Sequence, residues 1–168
     1  MFRVLDLGLN LSTRNQNFEH RTSNFKLNVM LRTLIIDDEA HIRDTLTKLL
    51  MLCCPGVQVV GEASGVETGI AKILETQPDL VFLDINLKDG TAYDLLHALQ
   101  PVTFKVIFIS AFDRKTAQAF RLSSVAYLAK PISPVDIIEA VKQVETMEVK
   151  HFDLQLEALE ENIREVGG

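Results

Sequence analysis

Three short apolar runs, each ending on an acid or a hydroxyl, constrain this chain more than any other feature. Leu34-Ile35-Ile36 stops at Asp37-Asp38, Leu80-Val81-Phe82-Leu83 stops at Asp84, and the stretch from Phe104 to Ile109 stops at Ser110. Runs this short and this apolar suit strands buried on both faces. Between them the period becomes helical. The segment from Glu39 to Cys53 places Ile42, Leu46, Leu49, Leu50 and Cys53 on one face, and Pro55-Gly56 stops it. Val57 to Ala63 reads as a strand and Val66 to Thr76 as a helix that ends before Pro78. After Asp84, a loop containing Gly90 leads to a helix with Leu95, Leu96 and Leu99 inward, closed by Pro101. A helix from about Asp113 to Leu122, a strand at Val125 to Leu128 and a long final helix after Pro134 complete the pattern. Five strands alternating with five helices predict an α/β fold, a doubly wound parallel sheet covered on both sides.

The charge balance excludes some functions. The 168 residues carry a formal net charge of −6, and Arg3, Arg14, Arg21 and Lys26 against Asp6 and Glu19 give the first thirty +2, which leaves −8 for the remainder. That sign is wrong for nucleic acid or an anionic membrane. No apolar run reaches the roughly 18 to 20 residues that span a bilayer, and polar residues interrupt the N-terminus where a signal peptide needs an apolar core. A cytoplasmic location is therefore expected. Cys53 and Cys54 are adjacent, a spacing suited to packing and not to a metal or disulfide framework. Residues 1–30, without sustained periodicity and rich in Asn, Ser, Thr and Arg from Asn10 onward, read as a mobile extension ahead of a domain at 31–147.

In an open parallel sheet, chemistry gathers beyond the carboxyl ends of the strands. Right-handed crossovers bring those ends to one edge. Here they supply Asp37-Asp38, Asp84, Ser110 and, after the fifth strand, Lys130-Pro131. Two carboxylates about 4 Å apart repel by roughly 4 kcal/mol at an effective dielectric near 20, so three in one cleft call for a cation. An all-oxygen set suits Mg2+, which shares phosphate oxygens readily. A carboxylate beside it can attack phosphorus, and Asp84, ending a central strand, is the best placed. Lys130 can neutralise phosphoryl oxygens and the Ser110 hydroxyl can hydrogen-bond to one. Singly these signals are common: an Asp pair suits a helix start, and Lys-Pro is an ordinary turn dipeptide. Their order at successive strand ends is what discriminates.

The combination of Asp37-Asp38, Asp84 with Asn86, Ser110-Ala111 and Lys130-Pro131 resembles the receiver domains of two-component response regulators over Leu31 to about Glu145. The resemblance implies a flavodoxin-like (βα)5 fold. It also implies a phosphoryl group accepted on Asp84 from a sensor histidine kinase, and a change of shape that controls an output, transcription above all. By the same carry-over Mg2+ is held by Asp38, Asp84 and the Asn86 carbonyl, with Asp37 acting through water. Ser110, Ala111 and Lys130 meet the phosphoryl group, the Lys130-Pro131 bond is cis, and Tyr127 is the aromatic that changes rotamer. The protein is then a signalling phosphoprotein and not an enzyme in the ordinary sense, with Mg2+-dependent self-phosphorylation and slow loss of the group. The Asp84 to Gly90 loop resembles that of receivers attached to LytTR-type (LytR/AlgR) DNA-binding domains, with Lys88 where proline is usual. Phe112 would stand over the entrance to the phosphoryl group.

Two alternatives compete: a phosphohydrolase that forms an aspartyl phosphate in turnover, and a stand-alone receiver acting through protein contacts. The hydrolase would need a second acid two residues after its nucleophile, where this chain has Asn86. DNA contact would fall to an output domain. In residues 148–168, a helical linker or dimerisation segment, Val149, Phe152, Leu156, Leu159, Ile163 and Val166 repeat with the spacing of a coiled-coil seam, so a parallel homodimer through 149–166 is expected.

Overall fold

The computed structural model describes residues 29–111, 113–123 and 125–167. Its elements run β1 (Leu31–Ile36), α1 (Ala40–Cys53), β2 (Val57–Ala63), α2 (Val66–Thr76), β3 (Leu80–Asp84), β4 (Asn86–Leu87), β5 (Gly90–Thr91), α3 (Ala92–Ala98), β6 (Lys105–Ala111), α4 (Arg114–Leu122), β7 (Ala126–Lys130), α5 (Pro134–Glu145) and α6 (Phe152–Gly167). Nearly all of the expected 1–30 extension, and Phe112, lie outside the described residues.

The long strands pair in parallel in the order β2-β1-β3-β6-β7, so the order reverses between β1 and β3. A short antiparallel ladder, β4 with β5, shapes the loop after Asp84. Alternation along the strands divides the core. Leu34 and Ile36 of β1 face one layer with Ile73, Leu95, Leu96, Phe108 and Phe120, while Ile35 faces the other with Leu46, Leu50, Ile137 and Val141. Both layers are built of apolar side chains, as expected for strands without polar alternation.

Local chemistry sets the helix starts. Thr91 and Asp94 form a reciprocal cap at α3, the Asp113 carboxylate accepts from Lys115 and Thr116 N–H at α4, and Ser133 caps α5 ahead of Pro134. At α2 the preceding Gly65 has no side chain to cap with, and Asp89 from the β4–β5 loop does so at long range. Its carboxylate accepts from Val66 N–H at 2.7 Å and Glu67 N–H at 3.2 Å. A Cβ on Gly65 would stand 2.6 Å from that carboxylate, so a larger residue here would push the Asp89 cap aside. The Asp84 to Gly90 loop is thus tied down by Asp89, although Lys88 stands where a rigidifying proline was expected.

The C-terminus departs from the expected single long helix. α5 ends at Glu145, a 3-10 turn spans Val149–His151, and α6 folds back against α4 and α3. Phe152, Leu156 and Leu159 are buried in the same cluster as the sheet, with Ile163 packed against it. Polar ties fix the register: Asn162 Nδ2 donates to Ser123 Oγ at 3.0 Å, Val102 N–H to Asp153 Oδ1 at 3.4 Å, and His97 Nε2 lies 2.6 Å from Glu160 Oε1. The central part of the stripe read as a dimer seam, Phe152, Leu156, Leu159 and Ile163, is therefore taken up by the chain's own domain, while the Val166 side chain lies outside the described residues. Fully burying each apolar side chain of this kind contributes about 1.5–3 kcal/mol relative to exposure.

The hydrogen bond that His97 donates to the Glu160 carboxylate raises the pKa of His97 above its ordinary value. A raised folded value means that the contribution to stability is complete below about pH 6.5 and is lost as pH rises through the folded pKa. In an NMR titration His97 is expected to titrate above an ordinary histidine, and Glu160→Gln to bring it back. An unshifted wild-type His97 would mean that the pair does not hold α6 in solution.

Candidate functional site

The first strand delivers its acids because its neighbour β3 keeps the run Leu34-Ile35-Ile36 buried up to the sheet edge, as the register shows: Leu34 faces Val81, and Ile36 faces Leu83, the residue before Asp84. Asp37 follows at once and is fully buried. One of its oxygens, Oδ1, accepts from Glu39 N–H at 2.8 Å and turns the chain into α1. The other, Oδ2, lies 3.1 Å from Lys130 Nζ yet outside hydrogen-bond geometry. Asp84 ends β3 at 5 % exposure, its Oδ2 3.2 Å from the same ammonium and its Oδ1 accepting from Asn86 N–H at 3.3 Å. Asp37, Asp38, Glu39 and Asp84 each bring a carboxylate oxygen within 4.8 Å of the others.

Neighbouring strands complete the edge. Asp84 is in register with Ile109, so Ser110 lies one residue farther out on β6. Ser110 pairs with Ala129, and Ala111 with Lys130. The Lys130–Pro131 peptide is cis, as the resemblance implied, and so is Gln100–Pro101, which the sequence reading did not anticipate. Tyr127 lies apart from the carboxylates. Its ring stacks on Phe120 at 4.7 Å, in a row of aromatics that continues through Phe108 to Tyr93. The hydroxyls of both tyrosines are buried without a hydrogen-bond partner.

The electrostatics follow from this crowding. Burial first, then the Asp37 charge, push the Asp84 carboxyl up to about 6 against the opposing pull of Lys130. Lys130 is held well above its ordinary value by Glu39, Asp37 and Asp84, although its own burial works the other way. Glu39 is lowered, chiefly by the hydrogen bond from Lys130. A lone pair of Asp37 with no donor, within an all-oxygen cluster, is what a hard divalent ion satisfies, so the residues fit Mg2+.

Against known sequences, residues 33–142 match the response regulator receiver domain. The chain belongs to the response regulator receiver family. A response regulatory protein of Vibrio parahaemolyticus is 41 % identical over 116 residues, covering 68 % of this chain and 48 % of that one. The sensory transduction protein LytT of Bacillus cereus is 32 % identical over 139 residues, covering 76 % and 56 %. The transcriptional regulatory protein LytR of Staphylococcus aureus is 34 % identical over 122 residues, covering 71 % and 49 %. The receiver thus spans about half the length of these relatives. In fold it is similar to the receiver domain of NarL from Mycobacterium tuberculosis, with a TM-score of 0.60, 24 % identity and coverage of 70 % of this chain and 98 % of that one. A CheX–CheY complex from Borrelia burgdorferi aligns with a TM-score of 0.59 at 19 % identity, covering 70 % and 90 %. Both likenesses agree with the flavodoxin-like strand order of this receiver.

Two participants escaped the sequence reading. Glu39 was weighed only as a helix-start acid, yet it joins the carboxylate cluster; its position directly after Asp37-Asp38 was the available signal. Asp89 left no sequence signal, because its partner is the backbone of a helix 22 and 23 residues earlier.

Proposed function

We propose that Asp84 accepts a phosphoryl group from the phosphohistidine of a sensor kinase, and that the receiver thereby switches an output, which is transcription. The observation that carries this reading is the convergence of Asp37, Asp38 and Asp84 with Lys130 at the edge where strand order reverses. A carboxylate oxygen of Asp84 forms the new bond to phosphorus as the bond from phosphorus to the imidazole nitrogen breaks, and the electron pair leaves with the ring. Lys130 meets the phosphoryl oxygens, the Ser110 hydroxyl and the Ala111 N–H donate to them, and Asn86 in place of an acid leaves no general acid for rapid hydrolysis. Mg2+, held by Asp37, Asp38, Asp84 and the Asn86 carbonyl, would neutralise charge at the transferring group.

The names and greater length of the LytT and LytR relatives support a LytTR-type output with DNA contact made by a further domain. No helix among the described residues is long and apolar enough to cross a membrane, and a cytoplasmic place of action accords with the kinase partner. The test is incubation with Mg2+ and acetyl phosphate. Uptake of about one acid-stable, hydroxylamine-sensitive phosphoryl group per chain is expected, as for an acyl phosphate, and turnover of simple phosphate esters without such uptake would favour the hydrolase.

Transmission from site to surface runs through Tyr127, whose ring stacks on Phe120 of α4 and whose buried hydroxyl has no hydrogen bond to hold it in place. Tyr127→Ala is expected to take up phosphate at the wild-type rate while its α4 and α5 amide signals lose most of their response to beryllofluoride. Full retention of that response would remove Tyr127 from the switch.

A further inference from the structure

An ammonium has three N–H donors. Around Lys130 Nζ stand three carboxylates: Glu39 Oε1 at 2.8 Å, Asp37 Oδ2 at 3.1 Å and Asp84 Oδ2 at 3.2 Å. Of these, Glu39 and Asp84 accept hydrogen bonds from the ammonium, while Asp37 lies outside hydrogen-bond geometry. A phosphoryl group on Asp84 draws the ammonium towards its own oxygens, in competition with the carboxylates that hold it. Asp37 is fully buried and already anchored by the Glu39 N–H, and Asp84 is the acceptor itself. Glu39 is different. It makes the shortest of the three contacts, and its side chain is 47 % exposed, so water can solvate it as soon as it swings away. Its backbone, by contrast, is fixed at the start of α1 by Asp37.

We propose that Glu39 is a built-in competitor for Lys130: it holds the ammonium in the unphosphorylated receiver and gives it up to the phosphoryl oxygens, and so slows uptake at Asp84. This rests on Asp84 being the acceptor. Two effects act in the same direction. Each encounter with a donor must break the pair between Glu39 and Lys130, and the Glu39 charge repels an incoming phosphoryl group that is itself anionic. Because the pair is partly exposed, it is worth what surface ion pairs are worth, which translates into roughly a two- to fivefold change in rate. Glu39 is thus a positioning residue, acting on the phosphoryl group through the lysine.

The experiment compares the intact wild-type chain with Glu39→Ala and Glu39→Gln, using acetyl phosphate at Mg2+ concentrations that saturate each protein. Glu39→Ala is expected to take up the phosphoryl group about two- to fivefold faster, with Glu39→Gln between, because its amide oxygen still accepts from the ammonium without the charge. A second readout separates this from a general loosening. In metal-free protein the Lys130 ammonium 15N resonance is expected to move in Glu39→Ala, while the melting temperature stays within about a degree or two, as for a surface substitution. Equal or slower uptake by Glu39→Ala, or an unmoved Lys130 resonance, overturns the proposal. Absence of uptake by the wild type would instead overturn Asp84 as the acceptor.

Discussion

Asp84→Asn is expected to take up no phosphoryl group and, in the absence of divalent ions, to be the more stable protein. The first result follows from the loss of the nucleophile at the end of β3, since a carboxamide forms no acyl phosphate. The second follows from the cost of keeping Asp84 charged where it stands. Its carboxyl titrates near 6 in place of 3.8 because it is buried beside Asp37. A folded value above the unfolded one means that the native state binds the proton more tightly, so this group subtracts nothing below about pH 4 and its full penalty above about pH 6. The penalty at neutral pH is on the order of 2–3 kcal/mol. Asparagine removes it, and the melting temperature should rise by several degrees at about pH 7.5, with the difference shrinking towards about pH 4. Thermal melts across that range, beside labelling with acetyl phosphate, check both halves. Labelling of the variant at the wild-type level would show that another residue is the acceptor, and an unchanged or lower melting temperature at the alkaline end would show that Lys130 already compensates the buried charge.

The second large effect concerns α6. Leu159→Ala is expected to cost about 2–5 kcal/mol, because Leu159 is fully buried among side chains of the receiver's own core and the vacated space cannot collapse completely. For a chain of this size that is a fall of roughly 5–15 °C in melting temperature. A solvated linker would lose less than about 0.5 kcal/mol from the same change. A dimer seam would make the melting temperature depend on protein concentration. Melts at two concentrations about a hundredfold apart therefore distinguish the three arrangements, and the structure predicts a large loss with no dependence on concentration. A small loss would mean that α6 is not docked in solution.

These two regions also mark how far the sequence could be read. The acceptor edge was legible because its logic is one-dimensional. Each buried strand must end where its apolar run ends, and the first polar residue past that point stands at the sheet edge. Asp37, Asp84, Ser110 and Lys130 could thus be placed together from the order of runs alone, and the strand register agrees. The same holds for β2 and α2, whose bounds match the reading residue for residue. β6 and β7 were read short at their carboxyl ends, because Ser110, Ala111, Ala129 and Lys130 are less apolar than the runs they continue although they stay in the ladder.

Other features depended on distance through space. The Asp89 carboxylate caps a helix that starts far earlier in the chain, and only the folded loop brings it there. Glu39 reaches Lys130 across 91 residues. The C-terminal stripe is the clearest case. Its spacing of three and four fixes that the helix must bury one face, and any partner with a complementary groove satisfies that demand equally well. No proline or glycine stands between Val135 and Val166 to announce the break after Glu145, so the pattern by itself cannot tell a continuous helix from one that turns back. The sequence by itself determined which residues are apolar, in what period, and which polar groups end each strand. The tertiary structure decided which surface answers the last apolar face. It is the chain's own sheet between α3 and α4, which α6 reaches by way of the three-residue turn at Val149–His151, so that docking needs no second molecule to be brought to it.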